Sequence, residues 1–208
     1  MMQVAEEALC AAVLSRLDLH ADKRCLVALS GAPGSGKSTL SGPLAQQMTE
    51  QGIAAEVVPM DGFHLDNGLL EKRDLLARKG APETFDLAGF SHLCRRLRHE
   101  DHVIYPLFDR NRDAAIAGAG EVTPACRVVI VEGNYLLFDE PGWRDLFRLW
   151  DVSIRMEVPL AELETRLIRR WRQQGLGPEA ALVRARSNDL ANAARIAAAQ
   201  LPADLMVG

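Results

Sequence analysis

The stretch Gly31-Ala32-Pro33-Gly34-Ser35-Gly36-Lys37-Ser38-Thr39 matches the phosphate-binding loop pattern G-x-x-x-x-G-K-[ST]. Its surroundings suit that reading. The apolar run Cys25-Leu-Val-Ala-Leu29 before it reads as a buried strand, and residues 37–51 after it read as a helix. Gly31, Gly34 and Gly36 let backbone wrap closely around an anion, because no Cβ blocks the turn. The loop N–H groups then form a nest at a helix N-terminus, where the dipole also favours negative charge. In this pattern the Lys37 ammonium reaches the β- and γ-phosphates, and the Ser38 hydroxyl ligates Mg²⁺.

Working outward, apolar runs alternate with helical patterns. Residues 3–18 place Val4, Leu9, Val13, Leu14 and Leu17 on one side of a helix. Residues 56–61 form a short apolar run ending at Asp61. Residues 66–79 are charged and helix-compatible, 80–86 a loop, and 87–100 a helix. Residues 102–109 look extended, with Pro106 pointing to an edge or irregular strand. Residues 110–125 are mixed, broken by Gly118, Gly120 and Pro124. Residues 127–132 are continuously apolar up to Glu132, as a central parallel strand should be. A short helix at 143–150, a strand at 152–158, and helices at 159–173 and 178–188 follow. Residues 191–199 fit helix or strand, and 205–207 a last strand. The alternation predicts a three-layer α/β fold with a mainly parallel sheet, in one domain spanning 1–208.

Composition narrows the class. A net charge of −4 over 208 residues gives no reason to expect nucleic acid as partner. Cys10, Cys25, Cys94 and Cys126 form no Cys-x-x-Cys pair, so neither a zinc ribbon nor a redox motif is supported. Cys25 and Cys126 read as buried thiols. The N-terminal residues lack a basic signal region, and no apolar run has the ~20 residues needed to span a bilayer. The expectation is a soluble, cytoplasmic chain with no membrane partner.

In a parallel sheet, ligands bind beyond the carboxyl ends of the strands. The loop, Asp61 and Glu132 each follow such an end, so all three converge there. Phosphoryl transfer needs a phosphate cradle, a Mg²⁺ ligand and a group that handles the acceptor hydroxyl. Asp61 is the candidate base, although Asp-Gly is also a common turn pair. Glu132 is the candidate carboxylate for Mg²⁺ or its water shell, with a turn as its plain alternative. His64 stands close enough to Asp61 to contact substrate, or serves packing alone. Arg166, Arg169, Arg170 and Arg172 crowd one helix, followed by the break Gln173-Gln-Gly-Leu-Gly-Pro178. A basic helix beside a hinge suits a lid over residues 160–188, with Arg169 neutralising charge, against a merely solvated face.

Several blocks then carry a resemblance: the loop, Met60-Asp-Gly-Phe-His-Leu-Asp-Asn67, Arg78-Lys-Gly-Ala-Pro-Glu-Thr-Phe-Asp86, Tyr105-Pro-Leu-Phe-Asp-Arg110 and Val129-Ile-Val-Glu-Gly-Asn-Tyr135. In this order they resemble the P-loop small-molecule kinases that include uridine kinase, phosphoribulokinase and bacterial pantothenate kinase. With Asn188-Asp189-x-x-Asn192, they look most like a bacterial group labelled fructose transport system kinases. The resemblance implies transfer of the ATP γ-phosphoryl group to a hydroxyl of a sugar, nucleoside or pantothenate-like alcohol. It implies Asp61 as base, Lys37 and Ser38 serving ATP and Mg²⁺, Arg169 in the lid, and a homodimer. It further implies that His64, Tyr105, Arg110 and Arg112 line the acceptor pocket. The chain lacks the long N-terminal region of pantothenate kinase, so the acceptor is left open.

The rival class is a nucleotide-binding switch or sensor ATPase. A GTPase needs a guanine-reading Asn-Lys-x-Asp segment and a transport ATPase a Leu-Ser-Gly-Gly signature; the chain has neither.

Overall fold

The computed structural model describes residues 2–20 and 23–208. Among the described residues the strands are β1 (Met2–Gln3), β2 (Cys25–Gly31), β3 (Ala55–Pro59), β4 (Val103–Asp109), β5 (Ala114–Val122), β6 (Val128–Gly133), β7 (Val152–Met156) and β8 (Leu205–Val207). Six of them form one sheet in the order β1-β8-β7-β2-β6-β3, with every pairing parallel. The helices are α1 (Glu6–Leu14), α2 (Lys37–Glu50), α3 (Asn67–Lys72), α4 (Leu87–His99), α5 (Leu160–Gln173), α6 (Pro178–Arg184) and α7 (Ala191–Ala198).

Strands β2 and β6 are central and buried at every residue. Their alternate side chains feed two separate cores. Leu26, Ala28, Val129 and Val131 join Phe90, Leu93 and Leu97 of α4 on one face. Val27, Leu29, Val128 and Ile130 join Leu9 and Val13 of α1 and Leu44 and Met48 of α2 on the other. An unbroken apolar run is what a strand covered on both faces requires. The three-layer α/β expectation therefore holds, with helices on both faces of the sheet.

Departures from the sequence reading have local causes. The helix expected over 3–18 is shorter, because Met2 and Gln3 pair with Leu205 and Met206 as an edge strand. The mixed stretch 110–125 contains β5, which pairs antiparallel with β4 as a separate two-stranded sheet. The register shifts between Tyr105 and Leu107, where Pro106 has no N–H to give the ladder. Residues 60–63, 76–78, 82–84 and 143–149 are 3₁₀ turns. Residues 178–198 run as a nearly continuous helical segment, α6 and α7 being joined by a π-turn over Ala185–Leu190. All four cysteines are buried and unbridged. Among the described residues, no helix is long and apolar enough to cross a membrane.

Candidate active site

The site grows from three neighbouring strand ends. β2 runs into the loop, β6 ends at Glu132-Gly133, and β3 ends at Pro59, whose register partner is Glu132. A 3₁₀ turn over Met60–Phe63 carries Asp61 just beyond β3. Two close approaches hold this turn. A Cβ on Gly133 would stand 2.7 Å from the Met60 Cβ, and one on Gly62 would stand 2.1 Å from the Pro106 carbonyl oxygen. Only glycine fits at either place, so β6 and the β4–β5 hairpin together fix Asp61.

The loop is built to hold an anion. Gly34 and Gly36 take φ of +78° and +101°, left-handed values that other residues rarely adopt. The Lys37 ammonium curls back to the carbonyls of Gly31 and Ala32, at 2.9 and 3.0 Å. Ser35 Oγ is buried without a hydrogen-bond partner. A buried hydroxyl without a partner costs ~1–3 kcal/mol, so the loop is primed for an external one. The Ser38 hydroxyl donates to the Glu132 carboxylate, 2.9 Å from Oε1 and 3.1 Å from Oε2.

Burial dominates the electrostatics. It pushes Lys37 down to about 8, opposed by the charges of Glu132 and Asp61. Burial raises Glu132 above the usual carboxylate range, with Lys37 opposing. It also lowers His64, whose ring sits between Phe85 and Phe108 with Nδ1 2.8 Å from the Asp61 carbonyl.

A cleft of about 360 Å³ opens over these groups. It is lined by the loop, Lys37, Ser38, Asp61 and Glu132, together with His64, Lys79, Phe108, Arg110, Asp113, Arg170, Trp171, Arg184 and Asp189. Arg110 Nη2 lies 4.0 Å from Asp61 Oδ2. Lys79 bonds to Asn67 Oδ1 at 2.6 Å and pairs with Asp113 Oδ1 at 2.9 Å, 5.0 Å from the Phe108 ring centroid.

The expected residues divide. Lys37, Ser38, Asp61, His64, Arg110 and Glu132 meet at the cleft. Arg169 does not. It lies with Thr165, Ile168 and Arg172 on another face of α5, while Arg166 and Arg170 face the loop side. Helix phase is the reason: Leu163 and Leu167 bury against the loop, so residues 166 and 170 beside them turn the same way. Arg166 donates to the Ser35 carbonyl at 3.0 Å. Arg170 is largely buried, which holds it below its usual value. Tyr105 faces away from the cleft; its ring covers Gly120 and its hydroxyl donates to the Val57 carbonyl at 3.2 Å. Arg112 is exposed and pairs with Asp109 at 3.4 Å. The sequence reading passed over Lys79, Trp171, Arg184 and Asp189 as site residues. The buried phase of Leu163 and Leu167 was a usable signal for the side of α5 that Arg166 and Arg170 share, but not for the rest.

A phosphate loop, a carboxylate bonded to its serine, and an aspartate at the next strand end define a P-loop kinase. No family model matches the chain. The protein YggC of Escherichia coli K12, itself uncharacterized, is 37% identical over 192 residues, 91% of this chain and 79% of its own length. A Schizosaccharomyces pombe protein, C227.14, named as a candidate uridine kinase, is 35% identical over 184 residues, covering 84% of this chain and 78% of itself. A crystal structure from Silicibacter sp. TM1040, described as a candidate fructose transport system kinase, superposes with a TM-score of 0.96 at 67% identity over 98% of both chains. YFH7 of Saccharomyces cerevisiae shares the fold, with a TM-score of 0.83 at 22% identity. The chain belongs to the family of P-loop kinases of the uridine kinase type.

Proposed function

We propose that this chain is an ATP-dependent kinase that moves the γ-phosphoryl group of ATP onto a hydroxyl of a small metabolite. The carrying observation is that Asp61 follows closely on Pro59, the β3 residue in register with Glu132, and shares one cleft with Glu132, Lys37 and Ser38. The names of the relatives and the polar cleft support it.

Mg²⁺ fits the donor set. Among the described residues, no cluster of three or more His, Cys, Asp or Glu side chains could cage a metal alone. Mg²⁺ is commonly held by one or two protein oxygens, with phosphate oxygens and water completing its shell. Ser38 Oγ and the Glu132 carboxylate are such a pair. Bound there, Mg²⁺ would neutralise charge on the β- and γ-phosphates.

The residues then divide the work. Loop N–H groups and Lys37 hold the phosphates. Asp61 accepts the proton as the acceptor oxygen bonds to the γ-phosphorus, while the bond from phosphorus to the β,γ-bridging oxygen breaks and ADP leaves. Arg170, and Arg166 through its hold on the loop, offset the negative charge that spreads over the transferring group. A homodimer and a cytoplasmic location complete this reading. Sedimentation velocity tests the dimer, and imaging or fractionation the location.

Turnover of ATP–Mg²⁺ with a panel of sugars, nucleosides, polyols and hydroxy acids, read by ³¹P NMR, tests the function. A phosphomonoester product is expected, and Asp61→Asn lowers its rate by ~10² or more while ATP still binds. ATP hydrolysis without any phosphorylated acceptor would favour the switch or sensor ATPase instead.

A further inference from the structure

A second chamber, of about 530 Å³, adjoins the cleft and has no task so far. Lys79, Arg110, Arg170 and Arg184 line it against one carboxylate, Asp113, which is already paired with Lys79 at 2.9 Å. Asp61, Asp189 and the phosphate loop lie outside its lining. Cations gathered around one open space repel each other until an anion joins them. A space of this size holds a small metabolite.

Two of the arginines are held in place without being neutralised. Arg184 lies over the Trp171 ring, its guanidinium carbon 5.1 Å from the centroid, and donates to the Ala77 carbonyl at 3.2 Å. Arg170 lies over the same ring at 5.6 Å and keeps its Nε buried without a partner. Among the described residues, no carboxylate forms an ion pair with either. A planar guanidinium carries several N–H donors, and contact with a ring fixes its place without using them. Burial lowers Arg170, and the charges of Arg110 and Arg184 press the same way against those of Asp189 and Asp61. Arg110 comes within 4.0 Å of Asp61, on the cleft side.

The walls belong to two parts of the chain. Arg170 and Trp171 stand near the end of α5, and Arg184 ends α6 beyond the break at 174–177. Lys79 comes from the loop between α3 and α4, and Arg110 and Asp113 from the turn of the β4–β5 hairpin. An anion between them relieves the repulsion and joins the two parts.

We infer that this chamber binds a phosphate group, held by the Arg184 fork, with Arg110 and Arg170 supplying charge from its sides. The phosphate belongs either to a separate small metabolite that fastens α5 and α6 to the hairpin turn, or to the acceptor, away from its reacting hydroxyl. The site does not rest on the kinase reading, since the phosphate loop and Asp61 lie outside it.

The test uses the full chain with Mg²⁺ and a non-hydrolysable ATP analogue, which fills the phosphate loop, and inorganic phosphate as probe at constant ionic strength. Phosphate should raise Tm saturably and slow hydrogen exchange over residues 170–184. Arg184→Gln should weaken phosphate binding at least ~10-fold, the scale of a hydrogen bond to a charged group, with Tm in the absence of phosphate nearly unchanged. Arg184→Lys keeps the charge without the fork and should fall between the two. The same response in Lys37→Met without nucleotide separates the chamber from the loop. In turnover assays, phosphate that competes with the acceptor assigns the site to the acceptor's own phosphate, and phosphate that does not compete assigns it to a separate ligand. An equal phosphate response in wild type and Arg184→Gln, or none in either, overturns the inference and leaves the kinase reading standing. An acceptor panel that yields no phosphorylated product overturns that reading and leaves the site standing.

Discussion

The Ser38 hydroxyl donates to both oxygens of the Glu132 carboxylate, a bond that joins the first turn of α2 to the end of β6. It aligns, across neighbouring elements, the two oxygens proposed above to hold Mg²⁺. Glu132→Gln keeps an oxygen for Ser38 but removes the charge. The Mg²⁺ concentration for half-maximal turnover should rise ~10–100-fold, the usual cost of altering a metal's supporting carboxylate. An unchanged Mg²⁺ requirement in a titration of rate against Mg²⁺ would remove Glu132 from the metal site.

Lys37 gives a pH signature. Burial holds it at about 8 in the free protein, below the ordinary lysine value. Protonated Lys37 thus costs the fold free energy below pH 8, and that cost is relieved as pH rises from about 8 toward the unfolded value. Bound phosphates favour the charged form and raise the value again. ATP binding at pH 8.5 should therefore take up protons, and much less so at pH 6.5 once proton release from ATP itself is accounted for. Calorimetry in buffers of different ionisation enthalpy measures this, with Lys37→Met as the control that loses the uptake. Equal proton uptake in wild type and Lys37→Met at pH 8.5 would contradict the assignment.

Arg170 and Arg169 are adjacent in sequence and point to different surroundings. Arg170→Ala should lower kcat by ~10², the scale seen when a donor to transition-state charge is removed. Arg169→Ala should stay within about twofold, since it touches solvent and its own helix. Steady-state kinetics of the two variants decide the matter, and the reverse order of effects would reassign the lid.

Gly62→Ala probes the seat of Asp61. The new methyl would meet the Pro106 carbonyl carbon and oxygen, so the turn or the hairpin must shift. A displacement near 1 Å at a reacting group costs roughly 10² in rate, and that loss is expected in kcat. Gly42→Ala is the contrast: it sits in α2 with open space around it and should stabilise by ~0.5–1 kcal/mol. Thermal melts and kinetics on both variants separate the effects.

Much of the fold was legible because its signals are local. The loop has a fixed pattern, and the strands at 25–31 and 128–133 are apolar on both faces. Strand β5 was hidden, since Gly118 and Gly120 read as breakers. Gly120 is there because the Tyr105 ring covers it, a cross-strand fact that no local window contains. The same contact explains why Tyr105 turns away from the cleft. Asp61 and Glu132 were legible from their place at strand ends. Arg169 was not distinguished from Arg170 because a cluster of arginines has no visible phase until the buried leucines are used to set it. Asp189 was out of reach as a site residue, because a π-turn shifts helical phase and only the assembled cleft gives it a direction.

The β4–β5 hairpin pairs with no strand of the main sheet, yet it carries Phe108, Arg110 and Asp113 to the cleft. The two ends of the site thus stand on different foundations. The loop, Ser38 and Glu132 are locked to a fully buried parallel sheet, where any change disturbs two cores at once. The hairpin joins the main core through Val103, Tyr105 and Val122, while its tip is held against Gly62, Asn67 and Lys79. Substitutions at the hairpin tip would then alter that part of the cleft while the loop, Ser38 and Glu132 keep their register on the sheet.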